Sequence, residues 1–419
     1  MARLRLDHYG EIFRNRVFAL FWGGFTLSAL GDAMTRVALT WYVYEMTGSA
    51  RALGWLTLAY TGPVVVGGLL AGSLLDRFDR SSVMLVDNVL RGVAVAVIPL
   101  LHLLGRLDLW VVYLVAAVYG SLMMISLAGG PALIPSLVDK KQLDTANALE
   151  TLSFTLSGVV GPPLAGLLIA RVAAPSIVAL DAVSYFAFAL ALWRIRGERR
   201  RRPAAAVTHE GSGAALGDAV RLLRSNPVLW STTLMFMAAN LGLGFLSVWL
   251  PIYADRVLGG GSPLYGTLLG AMAVGEVVSA FLAGSVVISL ALGMRIALMQ
   301  CLAGLGLGLL LLGSSPGLAL AALFLLGLFS APLTIWAQTL RMALIPESLR
   351  GRTFALLRTM MQSATPAGGA LAGLLLPLLG IPLMMALSAT AIGLPGLLGF
   401  RVDALRHAGA RQDNVTRLA

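Results

Sequence analysis

The chain has 419 residues, 58% of them hydrophobic and only 12% charged, with a formal net charge of +11 and a mean hydropathy of +0.84. A soluble domain carries about 25% charged residues, so a water-soluble enzyme of this length and a disordered chain are both excluded, and a polytopic membrane protein remains. A lone cysteine, Cys301, excludes an internal disulfide or a cysteine-based metal cluster.

A membrane-crossing helix needs about 20 mostly apolar residues. Such runs fall near 17–44, 53–75, 83–104, 109–136, 148–170, 176–193, 227–252, 264–288, 292–313, 317–340, 354–378 and 381–400, which makes twelve expected spans. The first run is too long for a signal-peptide core and has no cleavage site, so it reads as a retained span. With the N-terminus placed inside, 25 of the 31 lysines and arginines fall on the inner side, Arg341 among them, and four on the outer side. Only Arg36 and Arg91 lie within spans. This asymmetry predicts both termini in the cytoplasm. It also explains the positive charge without nucleic acid, since no basic stripe is interleaved with exposed aromatics.

The polar stretch 194–226 divides the chain into a six-helix half at 1–193 and a second at 227–402, followed by a tail at 403–419. Its Arg199–Arg202 run reads as a topology anchor or a contact for anionic lipid. The halves echo each other. The string LAGLL recurs at Leu164–Leu168 and Leu371–Leu375, Trp41 is matched by Trp249, and Asp32 falls opposite Asn240, all at offsets of 207 or 208. Duplicated halves are a recurring plan of secondary transporters.

Between the second and third runs stands Gly72-Ser-Leu-Leu-Asp76-Arg77-Phe-Asp79-Arg80. Glycine there allows close helix approach and a tight turn, and the charges fall at the membrane edge. The stretch resembles the G-x-L-x-D-R-x-x-R loop of the major facilitator superfamily, with Asp79 where glycine is usual. Gly158-Val-Val-Gly161-Pro162-Pro163-Leu-Ala-Gly166 resembles the antiporter-type motif of the same superfamily; its physical content is tight packing of helices. The strings SALGDAMTRVAL, DNVLRG, DTANAL and LDAVSY are similar to the macrolide-efflux and enterobactin-exporter branch. The resemblance implies an all-α fold of twelve helices in two pseudo-symmetric halves. It also implies a bacterial-type inner membrane, a monomer, and proton-driven export by alternating access. Gly72, Asp76, Arg77 and Arg80 would form a cytoplasmic gate, with Asp87 and Arg91 beside them near the inner end of span three.

Ionisable groups at membrane depth are costly and mark function by default. Asp32 with Arg36 one turn on, and Glu276 in span eight, are the proton-coupling candidates; the alternatives are a structural ion pair at Asp32–Arg36 and a protonated Glu276 hydrogen-bonded to a neighbouring helix. Asp181 reads as a tie between span ends. Asn240, Trp41, Met123, Met124, Met235 and Trp336 are the candidates for a substrate cavity, because soft methionines and amphipathic aromatics suit lipophilic or cationic ligands. Small lipophilic or cationic substrates, protons and membrane lipids are the expected partners. A lysophospholipid transporter or flippase, or a siderophore exporter, is the alternative. No phosphate-binding loop and no clustered histidines occur, so neither catalysis nor a cofactor is expected.

Overall fold

Apolar residues run around every face of these helices, as expected when the surroundings are lipid or other helices rather than water. The computed structural model describes residues 11–196, 212–283 and 290–409, so the Arg199–Arg202 run lies outside the described residues. The helices are α1 (Arg16–Thr47), α2 (Ala50–Arg77), α3 (Arg80–Leu103), α4 (Leu109–Leu133), α5 (Leu143–Ile169), α6 (Ala174–Ile195), α7 (Ser212–Ser225), α8 (Pro227–Ile252), α9 (Gly261–Ala283), α10 (Leu292–Gly308), α11 (Pro316–Leu344), α12 (Arg350–Gly399) and α13 (Asp403–His407). No strand occurs among the described residues. Among the described residues, ten helical segments are long and apolar enough to cross a membrane. The 28-residue α2 is a further long helix. The 50-residue α12 is broken at Gly380, whose φ of 74° only glycine adopts without strain, so it holds two helices in one run.

The chain forms two compact units, Met1–Met46 with Ala59–Thr208, and Thr47–Leu58 with His209–Ala419. The start of α2 therefore belongs to the second unit. There a methyl group on Gly54 would press into the backbone of Gly369 and Gly373, and Thr57 hydrogen-bonds Ser247 at 3.1 Å. The first unit is centred on Phe18, Phe21, Phe25, Met84, Leu133, Leu149 and Phe188. The second is centred on Met235, Ile296, Leu333, Trp336 and Leu340.

The units are built with the same devices. Asn15 caps α1 by accepting the backbone N–H groups of Val17 and Phe18 at 3.1 and 3.2 Å. Asn226 caps α8 in the same way through Val228 and Leu229, at 3.0 and 3.1 Å. In the first unit, a Cβ on Gly67 of α2 would enter the Ser121 carbonyl of α4, and one on Gly120 of α4 would enter the Tyr60 carbonyl of α2. In the second, Gly275 of α9 faces the Phe324 carbonyl of α11, and Gly327 of α11 faces the Met272 carbonyl of α9. Gly67 and Gly275 differ by 208 positions, and Gly120 and Gly327 by 207. The offset read in the sequence thus reappears as a pair of reciprocal backbone contacts. In lipid, where helices gain little from apolar burial against each other, such close approach supplies the packing.

Candidate functional site

Inside the first unit, four helices bring ionisable and hydroxyl groups to mid-length. Asp32 is the seventeenth residue of α1, about 24 Å from its start at 1.5 Å per residue. Arg91 stands half-way along α3, because that helix begins at Arg80. Tyr119 and Ser126 come from α4, and Asp181, Ser184 and Tyr185 from α6.

Arg91, 1% exposed, binds them together. Its Nη2 donates to Asp87 Oδ2 at 2.8 Å and also to Ser126 Oγ, and its Nη1 donates to the Tyr185 hydroxyl at 3.0 Å. Asp32 Oδ2 lies 3.6 Å from the same Nη1. Ser126 Oγ donates to Asp87 Oδ2 at 2.8 Å. Tyr119 donates to Asp32 Oδ1 at 2.6 Å, and Tyr185 donates to the same oxygen. The guanidinium carbon lies 4.6 Å from the Tyr185 ring centroid, and the Tyr60 and Tyr119 rings are 5.2 Å apart. Asp181 is fully buried, accepts from Ser184 at 3.1 Å, and abuts Gly31, the neighbour of Asp32.

The chemistry follows from the balance of charges. Two carboxylates share one guanidinium and a third lies beside them, so acids outnumber bases at membrane depth, where charge is costly. Asp87 is fully buried, whereas the Asp32 side chain is 27% exposed. Asp32 is therefore the member that can exchange a proton or meet a cationic ligand. Two hydroxyl donors hold its position. Gly161 of α5 packs against Ala33, so the motif helix abuts α1 next to Asp32.

Several sequence expectations change here. Arg36 is exposed, and Arg91 is a guanidinium within ion-pair range of Asp32 that the sequence did not pair with it. Asp87 and Arg91 lie with Asp32 rather than beside Arg80, because α3 starts three residues earlier than its apolar run. Arg80 donates to the Ala132 carbonyl at 2.8 Å, near the C-terminal end of α4, a position that suits a cation. Arg77 is exposed, and the Asp76 side chain lies outside the described residues. A Cβ on Gly72 would meet nothing within 4 Å, and α2 runs on to Arg77. Neither a close approach nor a turn therefore explains that glycine. Asp79, the departure from the motif, is the N-cap of α3: it accepts from Ser82 N at 2.9 Å and from Ser82 Oγ at 2.7 Å.

Trp41, Met124, Met235 and Trp336 are buried in the packing of their own units. Met123 accepts a weak hydrogen bond from Tyr60 at 3.8 Å, and Asn240 donates to the Met361 carbonyl at 2.9 Å, tying α8 to α12. Gly158 is half-buried on α5, while Pro162 and Gly166 are buried there. Glu276 is half-buried on α9, in the second unit, where α11 comes close at Gly327. The tyrosines were missed in the sequence. Their signal was a phenol at mid-span on both runs, Tyr119 and Tyr185, each able to reach a carboxylate. Among the described residues, no group of His, Cys, Asp and Glu side chains could hold a metal ion.

The model of the transmembrane secretion effector family matches residues 11–417. The multidrug efflux pump Tap of Mycolicibacterium fortuitum is 27% identical over 385 residues, covering 88% of this chain and 93% of that protein. The macrolide efflux protein A of Streptococcus pyogenes is 25% identical over 394 residues, covering 90% and 93%. In fold, the chain is similar to a bacterial homologue of the iron transporter ferroportin solved in an inward-facing state. That match has a TM-score of 0.71 and 18% identity over 92% of this chain and 98% of the other.

Proposed function

The chain belongs to the transmembrane secretion effector family within the major facilitator superfamily, a family of transporters rather than enzymes, and from that premise we propose that it exports amphipathic, lipophilic small molecules by proton antiport with alternating access. The relatives named as multidrug and macrolide efflux proteins support the substrate class. The long apolar helices support a multi-pass membrane location, here a bacterial inner membrane crossed twelve times, and the inner-side bias of lysine and arginine in the sequence supports both termini in the cytoplasm.

One observation carries the coupling assignment. Asp32 is a partly exposed carboxylate at mid-membrane depth, held by two tyrosine hydroxyls and electrostatically tied to a buried arginine–aspartate pair. Protonation of Asp32 changes the net charge of this cluster by one and releases its attraction to Arg91. A cationic substrate reaching the same carboxylate competes with the proton, and that competition is the minimum an antiporter needs. Arg91 then acts on transport by positioning Asp32, while the buried Asp87 keeps the guanidinium in place.

The test is transport in proteoliposomes with and without an imposed pH gradient, using a panel of fluorescent amphipathic cations and a fluorescent phospholipid analogue. Asp32→Asn is expected to abolish gradient-driven movement of the cations while leaving their binding measurable. Glu276→Gln tests the second candidate in the same assay. Cation transport that follows the gradient undiminished in Asp32→Asn would sink the coupling assignment. Lipid movement that survives both substitutions would replace the drug-export reading with a flippase.

A further inference from the structure

Arg341 is the second deeply buried arginine among the described residues, and its surroundings differ from those of Arg91. It lies one turn before the end of α11 and is 4% exposed. Its guanidinium carbon is 4.6 Å from the ring centroid of Phe236 on α8. Its Nη2 donates to the Met361 sulfur on α12 at 3.3 Å, and its Nε has no hydrogen-bond partner. Among the described residues, no carboxylate comes within 4.0 Å of it. An arginine does not shed its proton. A ring face and a thioether attract a cation but supply no full negative charge. A guanidinium buried in this way lacks its counter-charge, and that is costly.

The neighbours say what the missing group carries. Phe236 packs against the apolar core that includes Trp336 and Leu340. The carbonyl of Met361 is pinned by Asn240, but its unbranched side chain has three rotatable bonds and can move aside. The site is a planar fork of donors beside an aromatic and thioether wall, which fits a planar or tetrahedral oxyanion on an apolar body.

We propose that Arg341 anchors the carboxylate or phosphate headgroup of an anionic amphiphile within the second unit. The transported range then includes amphiphiles with a negative end, which the carboxylates around Asp32 would repel. The proposal rests on the reading of the chain as an exporter of amphipathic molecules. The same headgroup chemistry belongs to a small substrate or to an anionic membrane lipid.

The test uses the full chain in phosphatidylcholine nanodiscs and three radiolabelled probes of equal tail length: dodecanoate, dodecyl phosphate and dodecyltrimethylammonium. Wild type is expected to bind the two anions on the order of tenfold more tightly than Arg341→Gln does, with binding of the cation, which has its own carboxylate at Asp32, unchanged. Arg341→Lys is expected to keep part of the anion affinity, since the charge remains but the fork is lost. If Arg341→Gln does not fold, the loss of anion over cation binding in Arg341→Lys still decides. A wild type that binds neither anion, or a variant that loses all three probes equally, overturns the proposal. Repeating dodecanoate binding with phosphatidylglycerol in the nanodisc identifies the source: competition assigns the anchor to lipid, and unchanged binding assigns it to substrate. Binding is read without a gradient, so failure of the transport reading shows separately, as absence of gradient-driven cation movement with the anion binding intact.

Discussion

Arg91 makes the first unit's acid cluster tolerable, and removing it exposes what it balances. Arg91→Leu leaves Asp87 buried without its counter-charge, which costs about 3–5 kcal/mol. Thermal unfolding of the purified protein in detergent should show a large drop. The double substitution Asp87→Asn with Arg91→Gln should recover part of the loss, because no charge is then stranded. A smaller effect is expected at Asp79. Asp79→Ala removes the cap of α3 and costs about 1 kcal/mol, whereas Asp79→Gly costs a few tenths; the same unfolding assay separates them. At this scale the sequence was half legible. A charged residue inside an apolar run is visible without a structure, and Asp32, Asp87, Arg91 and Asp181 all stood out. Their partnerships were not visible. Arg36, one helical turn from Asp32, was legible as a candidate counter-ion, whereas Arg91, 59 positions further along the chain and 3.6 Å from Asp32, was not. Helical periodicity places residues on a face without saying which other helix meets that face. The methionines and tryptophans could not be ranked as cavity residues for a related reason: in a helix apolar on every side, the pattern does not mark which side is packed.

Among the elements, the reciprocal glycine contacts are the most sensitive to change. Gly120→Leu and Gly327→Leu each drive a side chain into the facing backbone. Each should cost about 3 kcal/mol or more, seen as lower yield of folded protein and a lower unfolding temperature. Gly72→Ala is the control, expected within about 0.5 kcal/mol of wild type, since nothing lies near the added methyl. Most helices themselves were legible, because a long apolar run has one economical structure in a bilayer. Their exact starts were not. The third apolar run begins at Val83, but the capped helix begins three residues earlier, within polar sequence. That shift makes Arg91 the twelfth of the 24 residues of α3. The break in α12 is a different case. Gly380 between Pro377 and Pro382 announces an interruption, and the sequence reading had already divided the run there.

For the whole molecule, the duplicated plan was legible as a numerical offset, and the structure gives that offset physical content in the glycine contacts. The chemistry is not duplicated. Among the described residues, the first unit holds a cluster of acids around the buried Arg91, and the second holds a buried arginine with no acid within 4.0 Å. This asymmetry escaped the sequence because Arg341 was indistinguishable there from the other inner-side arginines. The glycine contacts also have a mechanical consequence. Two helices whose backbones touch at two points in opposite senses, with no side chain between them to deform, cannot slide or bend independently. Each unit therefore contains a doubled strut, α2 with α4 and α9 with α11, much stiffer than either helix alone. Bending is then left to segments outside these contacts, the non-helical joint at Gly380 among them, so the compliant parts are fixed by where glycine has made the rest rigid.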